Sequence, residues 1–336
     1  METIIINSIA DTATESENLE SIIGLAASEE NKNNFIQANT IFSSVDEIKN
    51  NHIIPVFTKD NEPVINHTDF VEAAYLAVDA VFGKDQTSST DLSIKVSHPV
   101  KGRIPEAKLK PANLLQENEK TLYYERMAFM LEIPTIRETI NNQDLCLTVG
   151  GVKAYNLDNI NTKRSEQQFK IFIGFKNFVC TNLCISTDGY KGTVKVMDTQ
   201  ALYLAMVELF QKYNAQLHLN NLRNLLLYSL TEHQFAQVIG KARLYQYLPT
   251  EFKRKVPAFK LLDSQVNAIA DHYYHDKHFR KNENGSINLW NMYNLLTGAN
   301  KSSYIDSFID RSVNCFDFTN SIASALEHHS DNWFLN

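Results

Sequence analysis

The chain has 336 residues, of which 43% are hydrophobic and 10% aromatic, a composition that is typical of a packed globular protein and excludes general disorder. Its net charge is −7, and no apolar run approaches the ~18 residues that a membrane-spanning helix needs. The N-terminus lacks the basic region of a secretory signal, and four scattered cysteines are too few for a disulfide framework, so we expect a cytoplasmic protein.

The first part of the chain is polar and acidic. Residues 1–45 are rich in Ser, Thr, Asn and Glu with little periodicity, which predicts a mobile arm with a short helix near Leu19–Ala27. A short strand is predicted at Ile53–Phe57. Apolar residues at three- and four-residue spacing predict a helix over Thr68–Phe82, which Gly83 ends. The polar residues 86–91 are predicted to form a loop.

Between residues 92 and 197 the pattern changes to that of strands. A β-hairpin is expected around the polar turn 141–144, with Pro134 placing a bulge or an edge in its first arm. Further strands are expected on both sides of this hairpin. The predicted strands are Asp91–Ser97, Met127–Glu138, Leu145–Tyr155, Phe169–Ser186 and Thr193–Met197.

After Met197 the apolar spacing becomes helical. Capping residues predict where each helix begins, and Gly298 is predicted to end the fourth. The chain is therefore expected to be an α+β protein, with an antiparallel or mixed sheet in the middle followed by a helical C-terminal half. We predict an acidic arm (1–45), a sheet domain (46–197) and a helical region packing on the sheet (198–336). The helices are expected at 199–213, 232–245, 263–274, 287–297 and 303–328.

Charge is distributed unevenly along the chain. Residues 1–92 hold 4 Lys and Arg against 16 Asp and Glu, whereas residues 93–281 hold 26 against 17. A basic segment behind an acidic one is common in nucleic-acid-binding proteins, because the acidic part can compete with phosphates for the basic surface. A simple difference between helix surfaces would produce the same pattern.

One stretch of the predicted sheet combines cations with rings. On a strand over Phe169–Phe178, one face carries Lys170, Phe172, Lys176 and Phe178, the combination that stacks bases and pairs with phosphates. The alternative is that helices cover this face too and the lysines reach solvent at its edges. Other basic residues could extend the predicted nucleic-acid-binding surface, namely Lys101, Arg103, Lys241, Arg243, Lys253, Arg254 and Lys255.

Evidence for catalysis or a cofactor is weak. His272 and His275 lie three residues apart and could share a helix face as two metal ligands, but no fourth ligand is visible and a solvated helix end explains them equally well. The Gly150-Gly151 pair belongs to neither of the phosphate-binding patterns GxGxxG and GxxxxGKS/T. No residue pattern near a cysteine indicates the lowered pKa that a nucleophilic thiol needs. We therefore predict no catalytic residue and no cofactor.

Five segments of the chain match a known pattern, namely His98–Ala107, Tyr123–Phe129, Phe175–Asn182, Asp188–Lys191 and Leu295–Tyr304. They resemble a family of domains of unknown function that is encoded on conjugative transposons and prophages. The resemblance covers about residues 50–336. The segments Val179–Asn182 and Trp290–Asn294 are also loosely similar to a broader phage- and plasmid-borne group. The resemblance transfers no activity; the genetic setting that it implies favours DNA handling or interference with host defence.

These observations leave three hypotheses. The first is a non-catalytic protein that binds single-stranded DNA or RNA, assisting recombination or annealing on a mobile element. The second is a protein–protein module that acts on a host or element-encoded protein. The third is a metal-dependent enzyme built around His272 and His275. No membrane partner is expected, and the oligomeric state is open.

Overall fold

A computed structural model describes residues 34–51, 64–84, 91–107, 109–158 and 166–336. The helix predicted near Leu19–Ala27, the strand predicted at Ile53–Phe57 and most of the predicted arm lie outside these ranges. Residues 36–336 form one compact unit.

The described residues contain nine strands: β1 (Ile41–Ser43), β2 (Asp91–Arg103), β3 (Lys120–Ile140), β4 (Gln143–Ala154), β5 (Gln167–Asn177), β6 (Leu183–Cys184), β7 (Tyr190–Val196), β8 (Ser229–Leu230) and β9 (Ile287–Asn288). Seven of them form a curled antiparallel sheet in the order β1-β2-β3-β4-β5-β6, with β7 also pairing with β5. A second, two-stranded sheet pairs β8 with β9. The α+β class with an antiparallel sheet in the middle of the chain is confirmed.

The helices concentrate after residue 198, as the periodicity predicts. None of those in the described part of the chain has the length and apolar character to span a membrane. The helices are α1 (Val45–Asn51), α2 (His67–Phe82), α3 (Thr199–Lys212), α4 (Ala215–Asn224), α5 (Glu232–Tyr245), α6 (Thr250–Lys253), α7 (Asp263–His275), α8 (Leu289–Asn300) and α9 (Ile305–His328).

Capping residues account for the accuracy of several helix boundaries. The Asn66 side chain accepts the backbone N–H of Asp69 at the start of α2, and the Asp198 side chain accepts that of Ala201 at the start of α3. Thr231 caps α5 in the same way. Each cap satisfies an N–H group that has no partner inside its helix, which is why polar residues mark these starts in the sequence.

Three local predictions are wrong. The hairpin turn has two residues rather than four, because Asn141 and Asn142 both adopt positive φ (50° and 59°), as a tight turn between twisted strands requires. The run predicted as one strand over Phe169–Ser186 breaks after Asn177 and resumes only at Leu183. Gly298 lies inside α8 rather than at its end.

The residues at the end of the predicted arm also form structure. Ile41–Ser43 pairs with Val96–Ile94 of β2 as an edge strand. The bulge expected at Pro134 is confirmed by a register shift between Ile133 and Arg137, on a strand that lies between β2 and β4.

One face of the sheet packs against α2. The Phe70 ring contacts the rings of Phe129 and Phe169 edge-on, with centroids 4.9 and 4.8 Å apart. A Cβ atom on Gly151 would lie 2.4 Å from the Phe70 ring, and one on Gly150 would lie 2.8 Å from the Phe172 ring. The Gly150-Gly151 pair therefore lets aromatic rings approach β4 from both faces.

The other face of the sheet is covered by α9. The Lys170 side chain of β5 donates to the Asp306 carbonyl and pairs with the Asp310 carboxylate, both on α9. On the neighbouring strands, Met130 and Val152 are buried. Both faces of the central strands are thus enclosed.

Candidate nucleic-acid interface

The lysine–phenylalanine face of β5 is not accessible. Phe172 is completely buried, and the Lys176 ammonium is buried in an ion pair with the Glu132 carboxylate of β3. Lys170 is held by α9, and only Phe178, beyond the end of β5, is exposed. Of the two alternatives for this face, the structure has the covered one, because α9 packs on that side of the sheet. A ring without exposed surface cannot stack on a base.

Five of the seven remaining basic candidates have structural partners. The Arg103 guanidinium donates to the Lys110 carbonyl. The Lys241 ammonium donates to the carbonyls of Trp333 (2.6 Å) and Asn336, which ties the end of the chain to α5. Lys101 is exposed on β2. These residues do not form one surface with β5.

The segment that runs from the end of α5 to the residues just after α6 keeps the combination of rings and cations at the surface. The Tyr247 side chain is 85% exposed and that of Phe252 is 42% exposed. Arg254 and Lys255, which follow directly, are also exposed, and the Arg254 guanidinium lies 3.2 Å from the Glu251 carboxylate in solvent. We call the surface formed by Tyr247, Phe252, Arg254 and Lys255 the Tyr247 surface.

Short-range contacts hold this segment in place. The Lys253 ammonium donates to the Gln246 carbonyl at 2.8 Å and lies 5.4 Å from the centre of the Tyr245 ring. Phe252 packs edge-on against Trp333, with centroids 6.2 Å apart. Tyr247 is therefore presented by a segment that is anchored at both ends.

Arg243 lies in the last turn of α5, four residues before Tyr247. Its guanidinium makes two hydrogen bonds to the Asp263 carboxylate, at 2.7 and 3.0 Å. These bonds raise the pKa of Arg243, and the Tyr247 side chain adds to the effect. An ion pair in solvent contributes little stability, so a phosphate could replace Asp263 at low cost.

A family comparison gives one result. The model of a family described as a domain of unknown function, B. Theta gene description (DUF3871), matches residues 16–335. The chain belongs to the DUF3871 family. No curated protein and no solved structure matches the chain.

For this DUF3871 chain, the two predicted metal-ligand candidates have different surroundings. His275 is exposed and its Nδ1 lies 3.0 Å from the Asp271 carboxylate, one helical turn away. His272 instead lines a pocket together with His278. Within the described ranges, no group of three or more His, Cys, Asp or Glu side chains could hold a metal ion.

Sequence reasoning identified the basic half of the Tyr247 surface and missed its rings. Lys253, Arg254 and Lys255 are adjacent in the sequence, whereas Tyr247 and Phe252 flank Pro249 and lack strand periodicity. The sequence pattern that could have predicted these rings is an aromatic residue on each side of a proline turn, next to a basic triplet.

Proposed function

We propose that this chain binds single-stranded nucleic acid through the Tyr247 surface. The observation that carries the proposal is the 85% exposure of Tyr247 in a short segment that also exposes Arg254 and Lys255. Flat rings stack on bases of any sequence, and flanking cations neutralise phosphates, so the surface would bind strands with little sequence preference. A role on a mobile genetic element, which the resemblance implies, belongs to the same proposal.

The experiment is fluorescence anisotropy of a labelled oligothymidylate over a salt series, with duplex DNA of matched sequence for comparison. We expect the single strand to bind more tightly, because bases in a duplex cannot stack on Tyr247. Tyr247→Ala and Phe252→Ala should each weaken binding about tenfold and leave the salt dependence nearly unchanged. Tyr247 is 85% exposed, so Tyr247→Ala should remain folded; circular dichroism checks the fold of Phe252→Ala, whose ring packs against Trp333.

Variants of the basic residues should change the salt dependence of binding. Replacing Arg254 and Lys255 by Gln should flatten the slope of log K against log salt by about 0.7 per lost phosphate contact. Lys212→Gln is the matched control, since this exposed lysine of α3 pairs only with Glu208 among the described residues. If wild-type protein and the Tyr247→Ala variant bind the strand equally, the proposal is wrong. That result would favour the second hypothesis, in which the Tyr247 surface binds a protein.

A further inference from the structure

A pocket of about 260 Å³ lies between the turn after β5, the end of α7 and α8. The residues that matter for its chemistry are Asn182, Lys301, Asp276 and Gly298. Asn182 lies 94 or more positions before the other three along the chain, and none of the four belongs to the Tyr247 surface. Pockets for drug-sized ligands are larger, so this one suits a small metabolite.

Asn182 brings an unsatisfied acceptor to the pocket. The side chain is 2% exposed, and its Nδ2 donates to the Asn294 carbonyl at 2.9 Å, which fixes the orientation of the amide. Its Oδ1 accepts no hydrogen bond from any described residue. A buried acceptor without a donor costs free energy, so the site favours a ligand that brings an N–H or O–H group.

Lys301 brings a buried cation. The residue is 9% exposed, and its ammonium donates to the Thr181 hydroxyl at 2.7 Å and to the Cys180 carbonyl. Among the described residues it forms no ion pair with a carboxylate. An ammonium has three donors, and buried charges normally have a counter-ion. An anionic group in the pocket would supply both the third acceptor and the opposite charge.

Asp276 places a carboxylate on the same pocket. Its Oδ1 accepts the backbone N–H groups of His278 and Phe279, both at 2.8 Å, which holds the side chain at the end of α7. Gly298 leaves the α8 wall open: a Cβ atom there would meet only the Asn182 amide, at 3.9 Å. The pocket therefore combines one cation, one anion and one free acceptor around an open space.

We propose that this pocket binds a small amino carboxylate such as a free α-amino acid, with the ligand carboxylate on Lys301 and its ammonium on Asn182 Oδ1 and Asp276. A simple carboxylate would leave the Asn182 acceptor unsatisfied. An inorganic phosphate would meet only one cation and would be repelled by Asp276. A ligand with both charges satisfies all three groups.

Burial lowers the pKa of Lys301 to about 8; the Cys180 side chain opposes this effect and the Lys176 ammonium adds to it. A bound carboxylate stabilises the ammonium form. The titratable groups that face the pocket besides Cys180 are His272, His278 and Asp276.

The test is a thermal-shift screen of the common L-amino acids, followed by calorimetry of the best one. Its fragments serve as comparisons: propionate for the carboxylate, propylamine for the amine, and inorganic phosphate for a plain anion. We expect one or more amino acids to bind and each fragment to bind at least tenfold more weakly. Nucleic acid is absent from these experiments.

Two variants test the geometry. Lys301→Met should weaken binding tenfold or more by removing the cation. Gly298→Leu should abolish binding by filling the pocket while leaving Lys301 and Asn182 unchanged; it replaces a helical glycine by a better helix former, so the fold should be retained. Circular dichroism checks that retention.

Tyr247→Ala is the control that should bind the amino acid normally, which separates this site from the proposed nucleic-acid surface. The pocket proposal is overturned if no amino acid binds, if propionate or phosphate binds as tightly, or if Gly298→Leu binds like the wild type.

Discussion

Two histidines are buried where they cannot easily carry charge. The His67 Nε2 lies 2.8 Å from the Tyr124 carbonyl, and the His218 Nδ1 lies 2.6 Å from the Tyr213 hydroxyl. Burial lowers the pKa of each to about 4, since neither imidazole has a carboxylate partner close enough to offset the loss of water.

This burial predicts a pH dependence of stability. Between about pH 6.5 and 4 the two imidazoles are protonated in the unfolded chain and neutral in the folded chain. The stabilisation is therefore complete above pH 6.5 and is lost as pH falls towards 4. Each histidine should lower the free energy of unfolding by about 2 kcal/mol when the pH falls from 7.5 to 5.

The measurement is urea unfolding at both pH values. His218→Phe should lose less stability on acidification than the wild type, and the exposed His275→Gln variant should lose as much as the wild type. If the wild type and His218→Phe lost equal free energy of unfolding on acidification, the burial of His218 would not be a cause of the pH dependence.

At the level of the strands, the Glu132–Lys176 ion pair reaches from β3 across β4 to β5. Both side chains are buried, so the pair replaces hydration that each charge lost on folding. This is why a lysine that alternates with phenylalanines in the sequence points inward.

Breaking the pair should be costly. Glu132→Gln removes the carboxylate that pairs with Lys176, and we expect the free energy of unfolding to fall by about 3 kcal/mol or more. The double variant Glu132→Leu with Lys176→Met should be more stable than Glu132→Gln, because no buried charge remains. Urea denaturation of the single and double variants decides between these outcomes, and a double variant less stable than the single one would count against them.

At the scale of the molecule, one hydrophobic cluster joins the sheet to the C-terminal helices. It includes Phe169 of β5, Trp290 of α8 and Phe318 of α9. The sheet and the helices after residue 198 therefore stabilise each other.

We expect residues 36–336 to unfold in one cooperative step. Far-ultraviolet circular dichroism reports the helices, and the fluorescence of buried Trp290 reports the shared core. The two transitions should coincide on heating or in urea. A separate, earlier loss of the helical signal would show that the helices are an independent domain.

Local patterns in the sequence determined the class of the fold and many of its element boundaries. Caps such as Asp198 and Thr231 act within one helical turn, and apolar spacing reports the face that each helix buries. These signals need no knowledge of distant contacts, so they could be interpreted from the chain alone.

Tertiary structure decided which candidate residues are available for function. The alternation of lysine and phenylalanine along β5 is compatible with either an open or a covered face of the sheet. The packing of α9 covers that face. The pocket could not be inferred from sequence, because Asn182, Asp276 and Lys301 meet only after the turn beyond β5, α7 and α8 have packed together. Burial and the partners of a charge depend on residues far away along the chain, and that information is absent from local patterns.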